Sequence, residues 1–191
     1  MTPTIPAPPA PATPLMTAEE FVRLHGGESG VELVDGILVR CPMPGMEHGE
    51  VCGNAFAIIR EYVKARGLGR VVCNDTFVRT RPAGYRGADV LFVSYALLPK
   101  EQPVPKGPLE IPPELVVEVR SPTDRPGEIQ TKVAEYLNVG VKVVVVLDPD
   151  IDAATVYRPT EEIPQRFSNG DELNLGDVLP GFAVPVKKFF E

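Results

Sequence analysis

The spacing of hydrophobic residues predicts three helices in this chain. Over residues 47–66, apolar side chains recur at helical spacing and would form one buried stripe. The stripe consists of Val51, Ala55, Ile58, Ile59, Tyr62 and Val63. A second helix is predicted over 126–138. A short first helix begins after Thr17, where the order Thr-Ala-Glu-Glu fits a capping box.

Runs of β-branched residues predict a sheet between and after these helices. Val31–Val34 and Ile37–Arg40 flank Asp35-Gly36, a pair that tolerates the positive φ of a tight hairpin turn. Further strands are predicted at 70–79, 88–93, 114–119 and 141–147, with the last buried on both faces. The remainder, with a turn at Asn169-Gly170, is predicted as short strands ending in Phe189-Phe190. The order of elements indicates a mixed α/β fold, a central mixed sheet flanked by helices with extra β-hairpins.

Proline marks the boundaries of the folded part. Residues 1–15 are rich in Pro, Ala and Thr and are predicted to form a disordered tail, with a docking peptide as the alternative. Residues 16–191 are predicted to form one domain, interrupted by a long Pro-rich loop between Pro99 and Pro113.

Composition excludes several classes of protein. With 19 basic and 26 acidic residues and a net charge of −7, the chain is unsuited to coating nucleic acid, although a local basic cleft is compatible with this charge. Three cysteines without a CxxC pair, and only two histidines, argue against structural zinc and favour a reducing cytoplasm. No apolar run reaches the length of a membrane span, so no membrane partner is expected.

Three acidic residues, Glu32, Asp89 and Glu118, lie within or beside apolar runs. Burying an unpaired carboxylate is costly, so a structural ion pair or an exposed strand face would account for any one of them. Two carboxylates that converge at a sheet edge would also suit Mg²⁺ or Mn²⁺. Lys132, on the helix that follows, could then orient or deprotonate a water for attack on a phosphodiester.

The order of these motifs resembles the PD-(D/E)XK nuclease superfamily, and more closely its bacterial "putative restriction endonuclease" branch. The resemblance covers the chain from about Thr17 to Phe190. The matching segments are residues 31–36, His48, Asp89-Val90, Glu118-Val119-x-Ser121-Pro122, Lys132-x-x-x-Tyr136-x-x-x-Gly140-Val141 and Asp148-Pro149. The resemblance implies a restriction-endonuclease-like fold that cleaves DNA with the help of a divalent metal.

Roles for individual residues follow from the resemblance. Asp89 and Glu118 would hold the metal. The superfamily usually has a lysine two residues after the second acid, but this chain has Arg120 at that position, and Lys132 on the following helix would take the role of that lysine. Glu32 would be a further acid near the metal. His48 would face the same cleft, although a half-exposed position near the helix N-terminus is an equal alternative for it.

Substrate contacts and the class of function remain open to alternatives. Arg79 and Arg81 would point to one side of a strand and, with Arg120, could form a rim that binds phosphates, or they could simply form surface ion pairs. The leading hypothesis is a Mg²⁺-dependent endonuclease acting on DNA. The alternatives are a non-catalytic DNA-binding or interaction module on the same fold and a hydrolase of another phosphoester. Paired cleavage of a duplex would suit a homodimer.

Overall fold

The computed structural model describes residues 15–191, so the predicted disordered tail lies, except for Leu15, outside the described residues. The helices are α1 (Ala18–His25), α2 (Met46–Arg66) and α3 (Pro126–Asn138). The strands are β1 (Val31–Val34), β2 (Ile37–Arg40), β3 (Gly69–Arg81), β4 (Gly84–Ser94), β5 (Leu115–Val119), β6 (Val143–Asp148), β7 (Ala153–Tyr157), β8 (Gln165–Phe167), β9 (Glu172–Asn174) and β10 (Ala183–Pro185). Short 3₁₀ helices cover Pro149–Ile151 and Val186–Phe189.

Local signals place the first elements where the sequence predicts them. The hydroxyl of Thr17 accepts a hydrogen bond from the Glu20 amide, and the Glu20 carboxylate accepts one from the Thr17 amide, which completes the capping box of α1. The β1–β2 hairpin turns at Asp35 and Gly36, whose φ angles are 49° and 81°. Helix α2 ends at Gly67 in the left-handed conformation.

One mixed sheet of eight strands organises the described chain, which confirms the predicted fold class. Its order is β2-β1-β4-β5-β6-β7-β8, and β3 pairs with β4 in addition. Strands β5 and β6 are parallel and are connected through α3, whereas the other pairs are antiparallel. Strands β9 and β10 form a separate two-stranded sheet.

Helices cover the two faces of this sheet. The predicted stripe of α2 packs on one face, where Val51, Ala55, Ile59 and Val63 are buried against residues of β4, β5 and β6. The other face carries α3, whose residues Ile129, Val133 and Tyr136 pack against the sheet. Among the described helices, none combines the length and apolarity that crossing a lipid bilayer requires.

Two predictions about local structure are wrong. The C-terminal residues Val186–Phe189 form a 3₁₀ helix instead of a strand, with Val186 and Phe189 buried in the main core. Strands β3 and β4 are longer than predicted and form a hairpin, so Tyr85 lies in a strand and not in a loop. Its ring is buried and stacks on Phe21 at 5.7 Å between ring centroids.

Candidate active site

The site begins where strands β4 and β5 separate. Their ladder ends at the pair Val90–Val117, one residue before Asp89 would pair with Glu118. The Asp89 carboxylate instead accepts a hydrogen bond of 2.7 Å from the backbone amide of Val119. The side chain of Asp89 therefore occupies the end of the ladder, beside the residue that follows Glu118. The structure brings these two predicted site residues together.

Helix α3 directs two side chains at Glu118. Lys132 Nζ lies 3.3 Å from Glu118 Oε2, and the Tyr136 hydroxyl donates a hydrogen bond of 2.9 Å to Glu118 Oε1. Lys132 and Tyr136 are four residues apart, so they occupy one face of the helix. Lys132 Nζ also lies 2.9 Å from Glu32 Oε1 of strand β1. The lysine thus bridges two predicted acids that are 86 residues apart in the chain.

The two carboxylates that share Lys132 have opposite pKa shifts. Burial and the nearby acids, mainly Asp89 and then Glu32, raise the pKa of Glu118 to about 8, against the attraction of Lys132. Burial acts in the same way on Glu32, but Lys132 and Arg86 together outweigh it and lower its pKa. The difference follows from the contacts, since Glu32 has the shorter distance to Lys132 and a second cation of its own.

Lys132 keeps its proton in this environment. Burial favours its neutral form, but the carboxylates of Glu118 and Glu32 outweigh burial and raise the pKa of the lysine above its ordinary value. A protonated amine can donate hydrogen bonds and neutralise charge, but it cannot accept a proton from water. Of the two roles expected for Lys132, orienting a water is therefore compatible with its charge state and deprotonating one is not.

The side chain of His48, in the first turn of α2, is largely buried and lies beside Asp89. Its Nε2 is 3.5 Å from Asp89 Oδ2, and its side chain is 12% exposed. The contact with Asp89 raises the pKa of His48, against the effect of burial. Its Nδ1 lies 3.5 Å from Cys52 Sγ one turn further along α2. One donor atom each of His48, Cys52 and Asp89 lie within 4.8 Å of one another, close enough to hold one metal ion.

The donor set fits a divalent cation. Burial and the negative charges of Asp89 and Glu118 raise the pKa of Cys52 above its ordinary value, so its thiol stays protonated and is a poor ligand. The carboxylate of Asp89 and the imidazole of His48 are the better donors of this group, which among the described residues does not include Glu118, and carboxylates favour Mg²⁺ or Mn²⁺.

Strand β4 supplies a residue that the sequence did not single out. The buried Arg86 lies 2.8 Å from Glu32 and 2.6 Å from Glu135, which also contacts Arg81 at 3.4 Å. Arg86 thus fixes the orientation of Glu32 from the side opposite to Lys132. Strand alternation could have indicated that Arg86 points inward, had the strand been predicted to begin at Gly84.

Asp75 is a second residue that the sequence did not single out. It lies with Asn74 in the irregular part of β3 between Cys73 and Thr76, and both residues have positive φ. Burial, and then repulsion by Asp89, raise the pKa of Asp75. Asp75 lies opposite Asp89 and adds a carboxylate to the border of the cluster. The sequence did not predict this position, because the two consecutive left-handed residues Asn74 and Asp75 are not marked by a glycine.

The three arginines expected at a substrate rim each lie beside a carboxylate. Arg79 contacts Glu110 at 2.9 Å, and Arg81 contacts Asp35 at 2.8 Å. Arg120 forms an ion pair with Asp148 at the end of β6. The three arginines thus form ion pairs, as one of the two alternatives from the sequence predicted. Phosphate binding by them stays a prediction.

Comparison with known proteins agrees with this architecture. A family model, Uma2, described as "Putative restriction endonuclease", matches residues 18–187. The fold is similar to the crystal structure of a putative nuclease belonging to DUF820 from Anabaena variabilis, with a TM-score of 0.78, 21% identity and coverage of 92% of this chain and 97% of that chain. A DrdV–DNA complex solved by cryo-electron microscopy matches with 19% identity over 72% of this chain and 11% of that one. Its TM-score of 0.41 is too low to carry an argument. No curated protein matches the sequence.

Proposed function

We propose that this chain, which belongs to the Uma2 family of putative restriction endonucleases, is a divalent-metal-dependent endonuclease that hydrolyses phosphodiester bonds in DNA. The observation that carries the proposal is the position of Lys132 between Glu32 and Glu118, beside the carboxylate of Asp89. Acids from three strands and a lysine from a helix meet there at the point where two strands diverge. An ion pair that served only stability would need no more than one of these acids.

Asp89 and Glu118 would hold the metal, with His48 beside them. When bound, Mg²⁺ or Mn²⁺ supplies a Lewis acid that lowers the pKa of a water and neutralises charge on the scissile phosphate. Lys132 donates hydrogen bonds from a fixed position and orients the attacking water or a phosphate oxygen. Glu32 holds the lysine in place, and Arg86 in turn holds Glu32.

A non-catalytic DNA-binding module on the same fold is the second candidate. It is favoured by the hydrogen bonding of Glu118, because Lys132 and Tyr136 already contact its two oxygens. A metal ion bound by Glu118 would have to share these oxygens with Lys132 and Tyr136. The two candidates differ in turnover and not in DNA binding, so an activity measurement separates them.

The test compares cleavage of supercoiled plasmid by two variants that each lose one carboxylate. Asp89→Asn removes a proposed metal ligand, and Glu162→Gln removes an exposed acid outside the site. We expect nicked and linear DNA with the unmodified protein and with Glu162→Gln, and intact plasmid with Asp89→Asn. Equal cleavage by all three proteins would refute the proposed site, and DNA binding without cleavage by any of them would favour the second candidate.

Two further statements belong to the same proposal. Paired cleavage of the two strands would suit two copies of the site, so a homodimer on DNA stays a prediction. Within residues 15–191 the three cysteines form no disulfide, which suits a reducing compartment such as the cytoplasm.

A further inference from the structure

A second cluster of charged residues lies at the opposite end of α2 from His48. A pocket of about 480 Å³ lies there, and its lining includes four basic side chains and one aromatic ring together with two valines and two glycines. Arg60 and Lys64 come from α2, Arg70 from the start of β3, and Tyr95 and Lys100 from the segment after β4. We call these five residues the basic pocket. No acidic residue lines it.

The charges of the basic pocket are not neutralised by carboxylates. Within residues 15–191, none of its four cations lies within 4.0 Å of a carboxylate oxygen, although acidic residues outnumber basic ones in the chain. Glu61 and Glu101 are sequence neighbours of Arg60 and Lys100, but they contribute nothing to the lining. A concave surface with the exposed cations Arg60, Lys64 and Lys100 in an acidic protein is suited to an anionic ligand.

Arg70 organises the pocket from within. Its guanidinium donates four hydrogen bonds of 2.7–3.2 Å to the backbone carbonyls of Leu98, Pro99, Lys100 and Gln102. It also lies over the ring of Tyr95, 5.1 Å from the centroid. These contacts fold the segment after β4 around the arginine and place Lys100 near Arg60 and Lys64. The contacts of Arg70 therefore fix the backbone that carries Lys100, while the side chains of Arg60, Lys64 and Lys100 are exposed.

We infer that the basic pocket binds backbone phosphates of the DNA at a distance from the cleavage site. The inference rests on the proposed function, because a nuclease substrate extends beyond the bond that is cut. Sixteen residues of α2 separate His48 from Lys64, which corresponds to about 24 Å along the helix axis. A DNA strand advances about 3.4 Å per phosphate, so the pocket would meet a phosphate about seven nucleotides from the catalytic cluster.

The test uses two triple variants of equal charge. Arg60→Gln/Lys64→Gln/Lys100→Gln changes the pocket and leaves Arg70 in place to hold the segment after β4. The control variant changes three exposed basic residues that lie outside the pocket and form no ion pair with any residue from 15 to 191, namely Arg23→Gln, Lys142→Gln and Arg166→Gln. Circular dichroism melting of both variants checks that each retains the fold.

Binding of a fluorescent duplex of about 20 base pairs is measured by anisotropy in chelator, between about 50 and 200 mM salt. We expect the pocket variant to raise Kd by at least about tenfold and to lower the slope of log K against log salt by about 2 to 3. The control variant should keep a slope close to that of the unmodified protein. Equal slopes and affinities for the two variants would overturn the inference.

Cleavage of plasmid in Mg²⁺ is measured in parallel, so that the two proposals can fail separately. If the unmodified protein cleaves DNA and the pocket variant binds like the control, only the pocket inference fails. If binding depends on the pocket but no protein cleaves DNA, the inference stands and the nuclease proposal fails. If the unmodified protein binds no duplex in chelator, the inference is overturned, and the cleavage assay alone decides the proposed function.

Discussion

Replacing Glu118 by Gln tests the electrostatic account of the site. Burial and acidic neighbours raise the pKa of this carboxyl from 4.5 to about 8 in the folded protein. The unfolded chain ionises at the lower value, so ionisation of Glu118 disfavours folding progressively as the pH rises from about 4.5 to about 8. Below this range the cost is absent, and above it the cost is complete. Gln keeps the shape of the side chain and never ionises.

The size of the effect follows from the shift. At about 1.4 kcal/mol per pH unit, a pKa that rises from 4.5 to about 8 gives an upper limit of about 5 kcal/mol at alkaline pH. Lys132 loses one of its two carboxylate partners in the variant, which offsets part of this gain. We therefore expect Glu118→Gln to exceed the unmodified protein in free energy of unfolding by about 2–4 kcal/mol near pH 9, and to match it near pH 4.

Urea unfolding followed by circular dichroism measures this difference, since the chain contains no tryptophan. The measurement is made in chelator across the pH range, with Glu162→Gln as the control that removes an exposed carboxylate. The control should change stability by less than about 0.5 kcal/mol at every pH. A Glu118→Gln variant that is less stable than the unmodified protein at alkaline pH would refute the reasoning. It would show that a charged pair between Glu118 and Lys132 stabilises the fold.

Other substitutions test the remaining parts of the site. Arg86→Met leaves the buried Glu135 without its closest partner, and urea unfolding should show a loss of about 3–5 kcal/mol; an unchanged midpoint would contradict this role. Lys132→Ala should abolish plasmid cleavage while calorimetry still detects Mn²⁺ binding, whereas cleavage at the normal rate would remove the lysine from the site. Arg120→Ala should mainly weaken DNA affinity, measured by anisotropy, and a loss of turnover at saturating DNA would contradict that expectation. Calorimetry in buffers of different ionisation enthalpy should show that Mn²⁺ binding near pH 7 releases more protons from the unmodified protein than from Glu118→Gln, and equal proton release from the two proteins would contradict the raised pKa of Glu118.

Elements with a local signal could be predicted from the sequence. The capping box at Thr17, the Asp-Gly turn and the apolar stripe of α2 each depend on residues that are near one another in the chain. The β3–β4 hairpin extends further than predicted because residues 79–86, rich in Arg, Pro and Gly, have the composition of a loop. Long-range packing decides their structure, since Tyr85 completes an aromatic cluster with Phe21 and Phe77.

The candidate site could be predicted in part. The family resemblance and the shared helical face of Lys132 and Tyr136 placed the lysine beside Glu118, where the structure has it. The partners Arg86 and Glu135 could not be found in this way, because their ion pair joins β4 to α3 over 49 residues. Such pairs depend on which strands become neighbours in the sheet, and hydrophobic periodicity does not specify this order.

Dependence on a divalent metal is the most direct test of the nuclease account. Protein stripped with chelator is incubated with supercoiled plasmid, first without metal and then after addition of Mg²⁺ or Mn²⁺ in excess of the chelator. The account predicts intact plasmid in chelator, followed by nicked and linear products once the metal is added. Cleavage that proceeds in chelator, or plasmid that remains intact with both metals, would contradict it.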